Sequence, residues 1–285
     1  MTLVATIEGI GFWSRGLPTW PAARAFANGG SLDDAAPKRP SPQLLAPNER
    51  RRAPDSVAVA LEVALAACTD AGRDPATLPS VFASMHGDLG ITDYMCSTLV
   101  DMPASISPTR FHNSVHNAAA GYWTIGAGAM LPATAISAFD ATFAQGLVEA
   151  LVQLATGSEA VLLVAYDAPS AGPLAEVSRS EGLLGAALVL SRAPRPGAPR
   201  LRAGFVDGDI ASGDGALSRH GAGNAMAPML PLFDALAAGH SQALLRAGPG
   251  RLLRVDIDTG VGSDTDTNIH TNIHTNINQT EPVHG

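Results

Sequence analysis

Two histidines, His112 and His116, stand one helical turn apart in the stretch FHNSVHNAAAGYW, and Asn113 and Asn117 repeat the interval. On a helix predicted over residues 112–129, each pair shares one face. Paired imidazoles at that spacing suit a divalent cation or acid–base work. A cation site needs a third ligand, and no HExxH glutamate stands between the two. The other reading is a polar helix face whose His and Asn side chains bond across a subunit contact. Asp140 opens a helix predicted over 141–156, where it accepts from the first free N–H groups as an N-cap and suits the helix dipole. His86 follows a strand in Ser84-Met85-His86-Gly87-Asp88, a place where a lone imidazole serves structure or lines a pocket. Ser84 and Ser137 lack the G-x-S-x-G elbow of a serine hydrolase. The 87–90 segment is too short and acidic to cradle a phosphate. Cys68 and Cys96 form no disulfide framework and read as reduced core thiols.

The elements that hold these groups follow from periodicity and punctuation. Residues 2–8 are predicted as a strand, with a turn-rich exit to Trp20. Residues 27–52 are rich in Pro, Gly and Ala and read as a long loop. Pro54 sits in the first turn of a helix that runs to Ala71, where its missing N–H costs little. Strands are expected at 79–85, 133–138, 159–166, 184–191 and 200–207, with helices at 90–101, 112–129 and 141–156. A helix at 227–238 and a strand at 251–257 follow. Strands alternating with helices, and wholly apolar runs such as EAVLLVAY, predict a layered α/β domain over residues 1–258, with helices around a mostly parallel sheet. The remainder, 259–285, is a low-complexity repeat containing His270 and His274. It has too few apolar residues to pack and is expected to be disordered, its histidines a bland tail or a weak metal tract.

Bulk properties bound the function. Hydrophobic residues make up 46% of the 285 and charged ones only 15%, enough for a sizeable core. Aromatics at 5% favour close-packed small helices on a sheet over an aromatic-rich sandwich. A net charge of −8 argues against nucleic acid and against an anionic membrane surface. No apolar run reaches membrane-spanning length, and MTLVATIEGIGFWS has no signal-like core. A soluble cytoplasmic protein without a cofactor is the expectation.

The stretch from Ile106 to Asp167 resembles the core of the β-ketoacyl synthases, and more closely the short chain-length factors of aryl polyene clusters. Ile106-Ser107-Pro108, Ala120-Gly121, Pro132 and Gly157-Ser158-Glu159-Ala160 fall in the family's register without gaps. Glu181 to Leu190 resembles its "GEGAGMLVLE" strand, and the similarity covers about residues 1–210.

The resemblance implies a thiolase-like fold, its N-terminal half only. In that register the nucleophilic cysteine falls on Asp140. A ketosynthase needs a thiolate on a strand-to-helix elbow, and a carboxylate forms no acyl thioester. The family's two catalytic histidines belong to its C-terminal half, and RVDIDTG stands where an "NAHGT"-like motif is expected. The resemblance further places Thr109 and Arg110 at the floor of the partner's acyl pocket, with Phe111 beside them at the tunnel or interface. His112, Asn113, His116 and Asn117 fall at the dimer interface, and His86 near the pocket. Arg110 is unexpected where the family is bulky and apolar, with Phe111 the nearest aromatic substitute. A lone half would leave large apolar surfaces to be covered. The expected function is a non-catalytic chain-length factor. It would pair with a full-length β-ketoacyl synthase, meet acyl carrier protein through that complex, and set product length in polyene, polyketide or fatty-acid-type elongation. Two alternatives stay open: an independent acyl-thioester decarboxylase or hydrolase using Asp140 with His112 or His116, and a homodimeric scaffold that binds carrier protein.

Overall fold

The computed structural model describes residues 3–209 and 213–259. The predicted tail, with His270 and His274, lies outside them. In chain order the elements are β1 (Leu3–Ser14), α1 (Trp20–Ala27), α2 (Pro47–Arg52), α3 (Asp55–Ala71), β2 (Ser80–Ala83), α4 (Leu89–Asp101), α5 (Pro108–Asn113), α6 (Ala118–Ala127) and β3 (Ala133–Ile136). They continue with α7 (Thr142–Ala155), β4 (Ala160–Asp167), α8 (Leu174–Val177), β5 (Leu184–Ser191), β6 (Arg200–Asp207), α9 (Ala216–His220), α10 (Leu230–Ala238), β7 (Gln242–Gly248) and β8 (Arg251–Asp258).

The strands form one sheet in the order β3-β2-β4-β5-β1-β6-β8-β7, with helices on both faces. One face carries α3 and α6, packing Leu61, Phe82, Trp123 and Tyr166; the other carries α7, α10 and α1, packing Phe12, Phe143, Leu147 and Phe233. The layered α/β expectation stands, but "mostly parallel" does not. Only β2–β3 and β2–β4 pair in parallel, whereas β1–β5, β4–β5, β1–β6, β6–β8 and β7–β8 are antiparallel. Every residue of β4 and β5 is buried. Burial of both faces makes a strand wholly apolar, whatever its direction.

Three other expectations change. The first strand extends to Ser14, because Phe12 and Trp13 are core residues and not a turn. The loop of 27–52 ends in α2, whose Pro47 occupies the first turn that a composition count reads as a breaker. The unforeseen β7 makes a hairpin with β8 across Pro249-Gly250, a connection so short that it joins only antiparallel strands. α9 and α10 share one core with α7 and with the apolar residues of β6, β7 and β8, on one face of the sheet.

Contact between α3 and β1 explains why β1 is glycine-bearing. A Cβ on Gly11 would lie 2.0 Å from Val63 O, and one on Gly9 would lie 2.3 Å from Ala67 O. Both obstacles are helix backbone, so neither side gives cheaply. Gly11→Ala is expected to lower stability by about 1–3 kcal/mol, read as a lower urea midpoint with an unchanged m-value.

Candidate functional site

The site grows from the C-terminal ends of β2 and β4. Asp167, the last residue of β4, has no exposed surface. Its carboxylate accepts from Ser84 Oγ at 2.7 Å, from Met85 N–H at 2.9 Å and from His86 N–H at 3.2 Å. Burial nevertheless outweighs these donors and pushes the carboxyl up to about 6. The native state therefore holds this proton more tightly than the unfolded chain. The stability it contributes is complete below the ordinary aspartate range and is lost as pH rises through about 6. Wild-type stability should fall between pH 4.5 and 7 more steeply than that of Asp167→Asn, as compared by urea denaturation at each pH.

The Ser84–Asp88 turn held by this carboxylate collects other groups. Ser137 Oγ donates to Met85 O at 3.0 Å, and Asp88 accepts from Ser56 Oγ at 2.7 Å while capping α4 through Ile91 N–H. His116 meets the turn too. A carbonyl only accepts, so His116 Nε2–H donates to Ser84 O at 2.8 Å. His86 keeps its Nε2 buried without a partner, and burial lowers its pKa.

The helix expected over 112–129 is broken. α5 starts at its Ser107 cap, ends at Asn113, and gives way to non-helical backbone before α6 resumes at Ala118. Ser114 Oγ donates back to Phe111 O at 2.8 Å, and His116 is drawn to Ser84 O. Polar side chains here compete with the helical ladder. His112 and His116 therefore share no helix face, contrary to the spacing argument, and neither do Asn113 and Asn117. His112 instead meets the Tyr122 ring edge-on, centroids 6.0 Å apart.

Beside the break lies a groove of about 580 Å³, lined by Thr109, Phe111, His112, Asn117, Tyr122 and Ile125, with Glu49 and Arg52 at its rim. Four of the eight residues expected at the acyl tunnel or the subunit interface thus meet in one groove. His86 and His116 belong to the turn, and Asn113 is buried with Oδ1 unpartnered. Arg110 does not line this groove. Its guanidinium lies 4.1 Å over the Tyr94 ring, whose hydroxyl accepts from Ser107 N–H. Stacking resolves the unexpected charge.

Asp140 is not a helix cap. The N-cap of α7 is Ala141, and Asp140 instead pairs with Arg246 of β7 at 3.1 Å. It lines a separate cavity of about 300 Å³ with Met85, Asn224 and Arg246. The preceding Phe139 adopts φ 50°, the one non-glycine residue in that region among those described. Asp140 and the His112 groove are thus distinct sites. Of the two thiols, Cys68 is buried and pushed up to about 12 by burial, so it stays inert, but Cys96 is exposed on α4 rather than in the core.

Some of the exposed apolar surface flanks the groove and β3. β3 ends the sheet, paired only with β2. Next to it in sequence, Ile125, Met130 and Phe139 are 81%, 94% and 76% exposed, and Phe111 is 61% exposed. Sequence reasoning missed Asp167, Tyr94, Tyr122 and Arg246. A carboxylate closing the apolar run AVLLVAY was the one legible signal among them.

Residues 22–249 match the family described as β-ketoacyl synthase, N-terminal domain. Among solved structures, a ketosynthase in complex with its chain length factor from Xenorhabdus doucetiae is 22% identical, TM-score 0.71, over 89% of this chain and 99% of that one. The ishigamide ketosynthase/chain length factor is 14% identical, TM-score 0.67, over 89% and 99%. A β-ketoacyl synthase from Burkholderia phymatum is 14% identical, TM-score 0.55, over 85% and 71%. No curated protein sequence matches the chain.

Proposed function

The chain belongs to the β-ketoacyl synthase N-terminal-domain family, has its thiolase-like fold, and we propose from that premise that it is a non-catalytic chain-length factor. Its partner is a full-length ketosynthase subunit, seated against the β3 edge. The groove walled by Phe111, His112 and Tyr122 then faces that partner's acyl tunnel and limits the chain it accommodates. The observation that carries this is an edge strand, β3, flanked in sequence by exposed Met130 and Phe139, together with an apolar groove lined by exposed Ile125 and Phe111. Large exposed apolar groups beside an open edge mark an association surface. The solved relatives pair a ketosynthase with a chain length factor, which supports the assignment of partner class. Carrier protein reaches the chain through that complex. Polyene, polyketide or fatty-acid-type elongation is the setting, and the cytoplasm its place. No helix among the described residues is long and apolar enough to cross a membrane.

The independent-enzyme alternative draws little support, because Asp140 pairs with Arg246 and lines a different cavity from His112. Co-expression with candidate ketosynthases tests the assignment. A stoichiometric complex that elongates malonyl units, with no turnover of acyl or malonyl thioesters by this chain alone, is the expected result. A soluble, monodisperse chain that captures no ketosynthase would overturn it. Turnover by the isolated chain that disappears in Asp140→Asn would establish the enzyme instead.

A further inference from the structure

Of the segments near the groove, α6 is anchored in the core by Ala119, Ala120 and Trp123, but those before it have little apolar packing of their own. α4 buries none of its residues, and α5 buries only Asn113. Their ties to the sheet are polar, and those ties converge on one side chain. Asp167 holds the Ser84–Asp88 turn through Ser84 Oγ and the Met85 and His86 N–H groups. From that turn, Ser84 O receives His116, in the break between α5 and α6. Met85 O receives Ser137, just after β3, and Asp88 caps α4. On its other side, the Asp167 carbonyl accepts from Asn224 Nδ2, which also donates to Glu181 O and Gly182 O.

We propose that Asp167 is the positioning residue of the groove: by fixing the Ser84–Asp88 turn it sets, through His116, where the α5–α6 wall stands. The consequence for function, that Asp167 thereby helps set the length of acyl chain admitted, rests on the assignment of the groove to a ketosynthase tunnel. The positional claim does not. A carboxylate kept only to stabilise the fold is a poor choice at this depth, because a buried charge costs more than it returns unless its hydrogen bonds are needed. Three donors converging on it, two of them backbone N–H groups of one turn, are what only an acceptor with two oxygens satisfies.

Asp167→Asn separates the two roles. It removes the buried charge, so overall stability at pH 7 is held or raised. It also turns an N–H toward a backbone donor, so the turn loses at least one bond. Amide hydrogen exchange of the full chain is expected to accelerate about tenfold over residues 108–117, while α6, β4, β5 and the urea midpoint keep their wild-type values. His116→Ala is expected to loosen the same residues and leave 84–88 protected. In a complex with ketosynthase, both variants should broaden the product-length distribution. Uniform acceleration across β4 and β5, or unchanged exchange over 108–117, overturns the proposal. If Asp167→Asn does not fold, His116→Ala decides by the same criterion. Failure of the wild-type chain to bind any ketosynthase overturns the partner assignment, and the exchange result still decides the positional claim.

Discussion

Replacing Ile125 and Met130 together with aspartate is expected to abolish assembly with the ketosynthase while leaving the chain folded. Both side chains are among the most exposed apolar groups of the molecule, at 81% and 94%. In the free chain the new carboxylates stay in water, and surface changes of this kind shift stability by within about 0.5 kcal/mol. At an apolar interface each charge would be stripped of water without a partner, costing several kcal/mol. Since about 1.4 kcal/mol is tenfold in affinity, the pair should weaken binding at least a thousandfold, beyond detection by co-purification. Circular dichroism and the urea midpoint supply the control. An unchanged complex would mean that the β3 edge is not the docking face, and the scaffold or enzyme alternatives would regain ground.

The surface this prediction targets was partly legible from the chain. The β5 and β6 spans, 184–191 and 200–207, coincide with prediction because each lies between clear turn residues and each is held by ladder pairing along its length. Helix α3 was legible from the Pro at its start, and the structure ends it at Gly72 in the left-handed conformation. What failed was non-local. The 112–129 segment has helical composition throughout, yet His116 is taken by Ser84, 32 residues earlier in the chain. Asp140 has the chemistry of a cap, yet Arg246 reaches it from a strand 106 residues later. No window of local sequence contains either partner. Arg110 is the instructive case: charge at an expected pocket floor looked like a conflict, and Tyr94, on another helix, removes it. Thr109, Phe111, His112 and Asn117 nonetheless gathered in one groove.

Phe111 is the residue through which the groove is expected to act most strongly on product. It is exposed in the isolated chain yet lines the groove, so under the proposed pairing its ring would close the far end of the tunnel. Phe111→Ala removes a ring from a wall and leaves the backbone of α5, with Asn113 still buried, in place. An apolar pocket discriminates against one extra methylene by about tenfold or more. Removing the obstacle should therefore raise the ratio of longer to shorter product by at least that factor, with the total rate of elongation within a few-fold of wild type. Arg110→Ala is the contrasting variant. Its guanidinium lies over Tyr94 and does not line the groove, so it should loosen the α4–α5 contact without a comparable shift in length. Mass spectrometry of products released by the reconstituted complex reads both. If Phe111→Ala leaves the distribution untouched while binding is normal, the chain completes the dimer without measuring its product. Length must then be set within the ketosynthase subunit.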